Sequence, residues 1–317
     1  MFSAEIKSKP DEDISILVKL NNHPWNYLCE CGEASNLTVK EVQNCNAIFI
    51  SHTHIDHFIN FDTVIRHQVG TQRRVVICGP KDIAQHVQAK LKSYTWNLVE
   101  KGAIIYEIRE MVSENNIMTY QIEPPLWELK QTDSINDTII FKEKSFIVAA
   151  TLLDHKTPTL AYKFEENDSL KMDIQASGFR GGKWVKELKD AFEKQQADAT
   201  IVIEGKNYKT ADLFHLLHIQ KGDSLGIVMD HAANKENHLK IKNHFWQCRQ
   251  VFIESYYKEE DQEFAALNYH SYSTQSGKIM RETLVKEAIP IHFSRKYNQA
   301  EIDELVKEFE NSLNEVV

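Results

Sequence analysis

The sequence predicts an α/β fold built as a layered sandwich, with sheets inside and helices outside. Short apolar runs of strand length alternate with amphipathic helical segments along the chain. No internal repeat or linker rich in proline and serine interrupts this alternation. Several of the apolar runs end directly in histidine or aspartate, so that polar side chains gather at strand ends. We therefore expect a single domain over residues 1–317, with a functional site at one edge of its sheets.

The first part of the chain supplies five predicted strands and three predicted helices. The strands are expected at residues 15–18, 25–29, 47–50, 75–78 and 104–109, and the helices at residues 37–43, 61–69 and 79–96. Gly79 and Pro80 are expected to open the third helix, because proline fits the first turn of a helix. Ile83, Val87 and Leu91 then recur at helical spacing.

The rest of the chain continues the same alternation. Further strands are expected at 137–141, 145–149, 160–164, 199–203, 225–229, 251–254 and 290–293, and helices at 183–195, 262–267 and 274–288. A last helix should begin after Asn298, which forms a capping-box pattern with Glu301.

Composition limits the classes of protein to which the chain can belong. Of its 317 residues, 42% are hydrophobic and 26% are charged, which is ordinary for a globular protein. No apolar run approaches the roughly 20 residues that span a bilayer, and the N-terminus does not resemble a signal peptide. The five cysteines are odd in number and unevenly spaced, which indicates reduced, buried thiols in a cytoplasmic protein. The net charge of −9 argues against a broad nucleic-acid-binding surface but leaves a local basic patch open.

One short segment dominates the functional prediction. Residues 51–58 read Ser-His-Thr-His-Ile-Asp-His-Phe and follow an apolar strand. Imidazoles and carboxylates are ligands that suit zinc and similar divalent metals. His52 and His54 can serve one ion, while Asp56 and His57 serve a second ion nearby. Such a pair of metals activates water and stabilises both oxygens of a displacement at phosphorus.

Two metals need further ligands, and three positions offer them. His155, Asp230 and His292 each stand at the end of an apolar strand. A carboxylate has two oxygens and can bridge two cations, so Asp230 is the natural bridging ligand.

Eight motifs in order give the chain a resemblance to a known family. They are residues 29–33 (compared with D-C-G-E), 51–57 (H-x-H-x-D-H), 79–80 (Y-G-P), 154–162 (H-x-x-P-s-x-G-Y), Asp230 (G-D-T), 253–256 (E-A-T-F), 269–271 (G-H-S/T) and 292–297 (H-F-S-x-R-Y). On these residues the chain resembles the metallo-β-lactamase-fold hydrolases, and among them it is similar to ribonuclease Z, the tRNA 3′-processing endonuclease. The resemblance implies a four-layer αββα sandwich and a homodimer.

The resemblance also implies a role for each site residue. It assigns His52, His54 and His155 to one ion, Asp56, His57 and His292 to the other, and Asp230 to both. A hydroxide between the ions would attack phosphorus, and His270 would protonate the leaving oxygen. Glu254 would orient His270, and Asp56 would also accept a proton from the attacking water. Zinc fits the imidazole-rich set best, while manganese or iron also fits mixed ligands.

The chain departs from the family pattern at four places. Residues 10–24 contain no glycine where the family has a G-T-G-S-x-x-P turn, residues 58–61 differ from H-x-x-G-L, and His231 replaces threonine after Asp230. The family's tRNA-gripping arm corresponds here to an interval that we expect to be short, with a glycine-rich stretch at 178–184 and one helix. Arg180 and Lys183 could touch a phosphate there, or the stretch is an ordinary helix entry.

Three functions therefore remain open. The first is a metal-dependent phosphodiesterase acting on tRNA 3′ trailers, and the second is a phosphodiesterase for a small or cyclic nucleotide. The third, open because the fold alone does not fix function, is a non-catalytic binding module on a retained fold. It is disfavoured because every expected ligand is present, whereas inactive descendants usually lose ligands. No membrane partner is expected.

Three further histidines offer no second metal site. His231, His238 and His244 are spaced by seven and six residues, which fits no compact metal site and predicts exposure to solvent.

Overall fold

The computed structural model describes residues 1–9 and 12–315 of the chain. The chain separates into two compact units, which are described one by one. The first consists of Met1–Glu165 and Ser224–Val317, and the second consists of Glu166–Asp223. A single domain over residues 1–317 stays a prediction.

The first unit contains two large sheets. The strands of the first sheet are β1 (Phe2–Ile6), β2 (Ile16–Leu20), β3 (Asn26–Cys29), β4 (Cys45–Phe49), β5 (Arg74–Pro80), β6 (Ile105–Ser113), β7 (Asn116–Ile122) and β8 (Lys130–Ile135). They pair in sequence order, with β3 to β6 parallel and the outer pairs antiparallel.

The second sheet has six strands in the order β18-β17-β16-β11-β10-β9. They are β9 (Ile139–Lys142), β10 (Phe146–Asp154), β11 (Pro158–Glu166), β16 (Ser224–Val228), β17 (Gln250–Glu254) and β18 (Glu287–Ile291). β16, β17 and β18 run parallel to one another, so their carboxyl ends meet at the same edge.

Helices cover the outer faces of both sheets. The helices of this unit are α1 (Val39–Gln43), α2 (Ile55–Phe58), α3 (Phe61–Gln68), α4 (Ile83–Lys92), α8 (Lys235–His244), α9 (Gln262–Asn268), α10 (Ser273–Glu282) and α11 (Gln299–Asn314). One buried apolar cluster packs α1, α3 and α4 on the first sheet, and another packs α8, α10 and α11 on the second.

The largest apolar cluster lies between the two sheets. Phe49 of the first sheet contacts Tyr162 and Phe164 of the second, with ring centroids 5.2 and 5.1 Å apart. The Tyr162 hydroxyl also donates to the carbonyl of Ile50 at 2.7 Å, which ties the sheets together beside the histidine motif. The layers are therefore helices, sheet, sheet and helices, and the predicted αββα sandwich is confirmed.

Two local predictions differ from the structure, and some elements were not predicted. Pro80 ends β5 instead of opening a helix, and α4 begins at Ile83. A Cβ on Gly79 would lie 2.6 Å from Cγ1 of Ile83, so glycine allows the helix to pack directly on the strand end. The helix expected at 274–288 stops at Glu282, because residues from Glu287 onward pair with β17. The strand β1 was missed, because Phe2 is its one buried residue.

The second unit is larger than the short interval that the sequence predicts. Its strands are β12 (Ser169–Met172), β13 (Thr200–Ile203), β14 (Lys206–Lys209) and β15 (Leu217–Gln220), and its helices are α5 (Ile174–Ser177), α6 (Lys183–Glu193) and α7 (Thr210–Leu213). β12 pairs with β15, and β13 pairs with β14. The unit has its own apolar core, in which Trp184 and Leu188 of α6 pack against Ile201 and Ile203 of β13. The strand predicted at 199–203 is observed as β13, whereas β14 and β15 are short, largely exposed and carry little hydrophobic pattern, which explains why they were missed.

Candidate metal centre

The predicted ligands gather at the carboxyl edge of both sheets. The histidine motif follows β4 of the first sheet, and His155 follows β10 of the second. Asp230 and His292 follow the parallel strands β16 and β18, whose ends lie side by side. The sandwich thus brings together residues that are up to 240 positions apart in the sequence.

The first ligand group consists of three histidines and one aspartate. His52, His54, His155 and Asp230 each offer one ligand atom, and these four atoms lie within 4.8 Å of one another. Asp230 Oδ2 is 3.9 Å from Nε2 of His52 and 3.5 Å from Nε2 of His155. His54 is the exposed member and the other three are buried, so the group opens to solvent on one side.

The second group uses the other oxygen of the same aspartate. Asp56, His57, Asp230 and His292 also bring four ligand atoms within 4.8 Å of one another. Asp230 Oδ1 is 3.3 Å from His57 Nε2 and 2.9 Å from His292 Nδ1. Asp56 Oδ2 lies 3.4 Å from His57 Nε2 and 3.6 Å from His292 Nε2. Asp230 therefore turns one oxygen toward each group.

Three of the histidines are held through their outward nitrogens. His57 Nδ1 lies 3.0 Å from Oε2 of the buried Glu30, and His155 Nδ1 donates to the carbonyl of Tyr269 at 2.6 Å. His52 Nδ1 lies 3.0 Å from the Ser51 hydroxyl. These contacts point the Nε2 atoms inward, as is usual for histidines that bind metals.

Buried polar atoms without hydrogen bonds mark the space between the groups. They are Nε2 of His52, Nε2 of His57, Oδ1 of Asp230 and Nδ1 of His292. A buried polar atom left unsatisfied costs roughly 1–3 kcal/mol, and four of them in one place favour a ligand that accepts their lone pairs. Imidazole and carboxylate donors are suited to divalent metals. The residues thus fit two divalent cations.

The electrostatics of the two groups differ. Burial lowers the pKa of His52 to about 2, which leaves its imidazole neutral and able to coordinate. Burial also opposes charge on His57 and His292, but the attraction of Asp230 outweighs it and raises the pKa of both imidazoles well above the usual value. In the absence of metal, protons on these two rings balance Asp230, so metal binding should release protons.

The predicted proton donor also lies at the site. His270 Nδ1 is 2.5 Å from Oε1 of Glu254, a fully buried carboxylate at the end of β17. The other oxygen of Glu254 accepts from the backbone N–H groups of Ser271 and His231, at 3.0 and 3.3 Å. Asp230, Glu254 and His270 also form a third group of close ligand atoms. The structure therefore places Glu254 where it can orient His270.

Several residues at the site have unusual backbone conformations. Glu30, Lys156, Tyr269 and His292 all have positive φ angles, between 58° and 65°. Such conformations cost about 1 kcal/mol or more in residues other than glycine and tend to gather at functional sites. His292 belongs to a ligand group, Glu30 and Tyr269 each contact a ligand histidine, and Lys156 follows His155 in the chain.

Some residues at the site escaped the sequence prediction. Glu30 and Tyr269 lie in motifs that the sequence singled out, but their contacts with His57 and His155 were not predicted. His231 was expected in solvent but is fully buried, and its Nδ1 bonds the carbonyl of Met229 at 2.8 Å. His238 and His244 are half-buried, so the expected exposure was wrong for them as well. The hydrophobic run before Asp230 is the one feature of the sequence that could have indicated the burial of His231.

Comparisons with known proteins agree with this architecture. No family model matches the chain. The chain is 24% identical to the ribonuclease Z of Deinococcus radiodurans over 97% of this chain and 94% of that protein. It is 26% identical to the ribonuclease Z of Listeria monocytogenes serovar 1/2a, over 93% of this chain and 88% of that protein.

Solved structures show the same fold. Human tRNase Z, short form, superposes with a TM-score of 0.57 at 13% identity, covering 94% of each chain. The metallo-β-lactamase-fold protein YhfI from Bacillus subtilis gives a TM-score of 0.58 at 12% identity, covering 98% of this chain and 92% of that one. The predicted resemblance is confirmed: the chain has the metallo-β-lactamase fold and its homologues include ribonuclease Z proteins.

Proposed function

We propose that this chain, a metallo-β-lactamase-fold hydrolase with ribonuclease Z homologues, is a dinuclear metal-dependent phosphodiesterase that cleaves 3′ extensions from RNA. The observation that carries the proposal is the placement of Asp230, whose two oxygens face two separate ligand groups. Bound at these groups, a pair of divalent cations would activate water and stabilise the charge that develops at phosphorus.

The side chains around the groups supply proton transfer. Burial lowers the pKa of His270, but the attraction of Glu254 and the hydrogen bond between them outweigh burial and raise it above the usual value. A protonated His270 can give its Nε2 proton to a leaving oxygen and keep its Nδ1 proton, which is hydrogen-bonded to Glu254. Burial favours the neutral form of Asp56, but the nearby imidazoles of His292 and His57 outweigh it and lower the pKa, so this carboxylate is ionised as a ligand or proton acceptor must be.

Two features favour RNA over a small nucleotide. Lys156 follows His155, is exposed, and has no carboxylate within ion-pair distance among the residues that the structure describes. A free cation beside the site suits a substrate with several phosphates. The compact unit Glu166–Asp223 also lies in the interval where the family carries its substrate-gripping arm, and it is far more than a loop.

The alternative is a phosphodiesterase for a small or cyclic nucleotide, which needs no additional binding unit. A non-catalytic module would have no use for the unsatisfied buried atoms that both ligand groups retain.

We further propose zinc as the metal, since imidazoles dominate the first group, and manganese or iron as the competitors. A cytoplasmic homodimer also stays part of the proposal. Among the described residues, no helix has both the length and the apolar character that crossing a bilayer requires.

The decisive experiment is cleavage of a 3′-extended precursor tRNA by the metal-loaded protein, with Asp56→Ala as the blank. Cleavage near the discriminator base, lost in the variant, supports RNA processing. A protein that hydrolyses a generic phosphodiester but leaves the precursor intact would contradict it and point to a small or cyclic nucleotide. Loss of both activities in correctly folded, metal-loaded protein would favour the non-catalytic module.

A further inference from the structure

A tyrosine lies flat on the imidazole of the predicted proton donor. The rings of Tyr256 and His270 are stacked, with centroids 3.8 Å apart and planes within 7° of parallel. Tyr256 stands two residues after Glu254, at the end of β17, whereas His270 follows α9. The same tyrosine contacts His292 at 5.4 Å between ring centroids. One aromatic ring therefore touches both a predicted ligand and the predicted proton donor.

The hydrogen bond to Glu254 alone does not fix the plane of the imidazole. A single bond from Nδ1 to Oε1 still allows the ring to turn about the line that joins the two atoms. The Tyr256 ring covers one face of the imidazole, and the ring of His155 lies 4.7 Å away at 60°. The stack thus removes the rotation that the hydrogen bond permits.

Tyr256 is itself held firmly. Its ring packs edge-on against Tyr257, with centroids 4.9 Å apart and planes at 78°, and its carbonyl accepts from the N–H of Ser294 at 3.0 Å. Stacked aromatic pairs contribute beyond the area that they bury. The tyrosine can therefore act as a fixed surface against which the imidazole of His270 stacks.

We propose that Tyr256 is a positioning residue, which holds the imidazole of His270 in the orientation that directs Nε2 toward the leaving oxygen. The inference rests on the proposed function, because it assumes that His270 donates a proton. Nδ1 is committed to Glu254, and Nε2 has no hydrogen bond to the residues that the structure describes. Misplacement of a reacting group by about 1 Å can cost on the order of 100-fold in rate.

The test compares two variants on two substrates. Tyr256→Leu removes the aromatic face, whereas the matched control Tyr256→Phe keeps it and removes only the hydroxyl. Cleavage of 3′-extended RNA expels a ribose oxygen that needs a proton, while bis(p-nitrophenyl) phosphate expels a phenolate that does not. We expect Tyr256→Leu to lower kcat on RNA by about 10- to 100-fold more than it lowers hydrolysis of the phenolate ester, with little change in KM.

Two outcomes would overturn the inference. Equal losses on both substrates would indicate a merely structural role, and an unchanged kcat on RNA would show that the stack is irrelevant. The Tyr256→Phe variant should retain the wild-type rate on RNA.

A second readout does not depend on the substrate. In metal-free protein, the proton on His270 Nδ1 should be visible by nuclear magnetic resonance in the wild type and in Tyr256→Phe, and broadened by exchange in Tyr256→Leu. If wild-type protein does not cleave RNA, the proposed function fails, and this resonance still decides whether Tyr256 holds the ring. An equally sharp resonance in Tyr256→Leu would refute the positioning role.

Discussion

The Glu30 carboxylate lies 3.0 Å from Nδ1 of His57, and both side chains are fully buried. Glu30 Oε1 also accepts from the backbone N–H of Ser51 at 2.9 Å, so one carboxylate ties β3 to the start of the histidine motif. Burial raises the pKa of Glu30, and the hydrogen bond with His57 lowers it. Because burial has the larger effect, the pKa stays above its usual value. The carboxylate fixes the ring that faces Asp230.

Replacing Glu30 should weaken metal binding. Glu30→Gln keeps the shape but removes the charge that orients His57 and increases its basicity as a ligand. Loss of such a partner typically lowers metal affinity about 10- to 100-fold. Competition titration against a chelating dye measures the change, with the exposed Glu100→Gln as the control. An affinity equal to that of the wild type would show that the buried pair does not support the metals.

Removal of metal should lower the stability of the fold. Both ligand groups contain buried polar atoms without hydrogen bonds that a bound cation would satisfy. A ligand present at 100 times its Kd stabilises the folded state by about 2.7 kcal/mol, so a chelator should lower Tm. Asp230→Asn removes the carboxylate that the groups share, and its Tm should respond little to metal. An identical metal-dependent shift in this variant would contradict the bridging role.

A methyl group at Gly32 should disturb the wall of the site. A Cβ there would lie 2.3 Å from the carbonyl carbon of Asp13, whose carboxylate pairs with Arg295. Because the clash involves backbone, the variant Gly32→Ala should lose about 1–3 kcal/mol of unfolding free energy in urea. At Gly181 the nearest atom is 3.5 Å away, so Gly181→Ala serves as the control. Equal stability of the two variants would mean that the backbone near Asp13 moves aside with no loss of unfolding free energy.

The Glu41 carboxylate should make stability depend on acid pH. Burial raises the pKa of Glu41, but bonds from Thr38, Lys7 and Lys19 prevail and lower it to about 2. A lowered pKa in the folded state stabilises the protein above the ordinary glutamate pKa, and this stabilisation is lost as pH falls toward 2. Glu41→Gln should cost about 1 kcal/mol near pH 6 and almost nothing near pH 2. Urea unfolding across this range measures the difference, with Glu310→Gln as the control; a difference independent of pH would refute the assignment.

The local sequence was sufficient to predict features that depend on the residues of a single helix or strand. The apolar strand before residues 51–58 is visible in its own residues, and it leads directly into four metal-capable side chains. The Asn298 capping box also forms as predicted, because Asn298 and Glu301 bond each other's backbone within one turn. Periodicity placed α6 and β11 within a few residues of their observed bounds.

Tertiary structure decided the features that depend on distant pairing. Strand pairing with β17 placed residues 287 and 288, the end of a predicted helix, in β18 ahead of the predicted strand at 290–293, and thereby set His292 beside Asp230. The contacts of Glu30 with His57, of Tyr269 with His155 and of Tyr256 with His270 join separate segments. The sequence by itself determined which residues can bind metal, since that is a property of the side chain. Only the packing of two sheets determined which atoms face each other, because those distances depend on every strand between them.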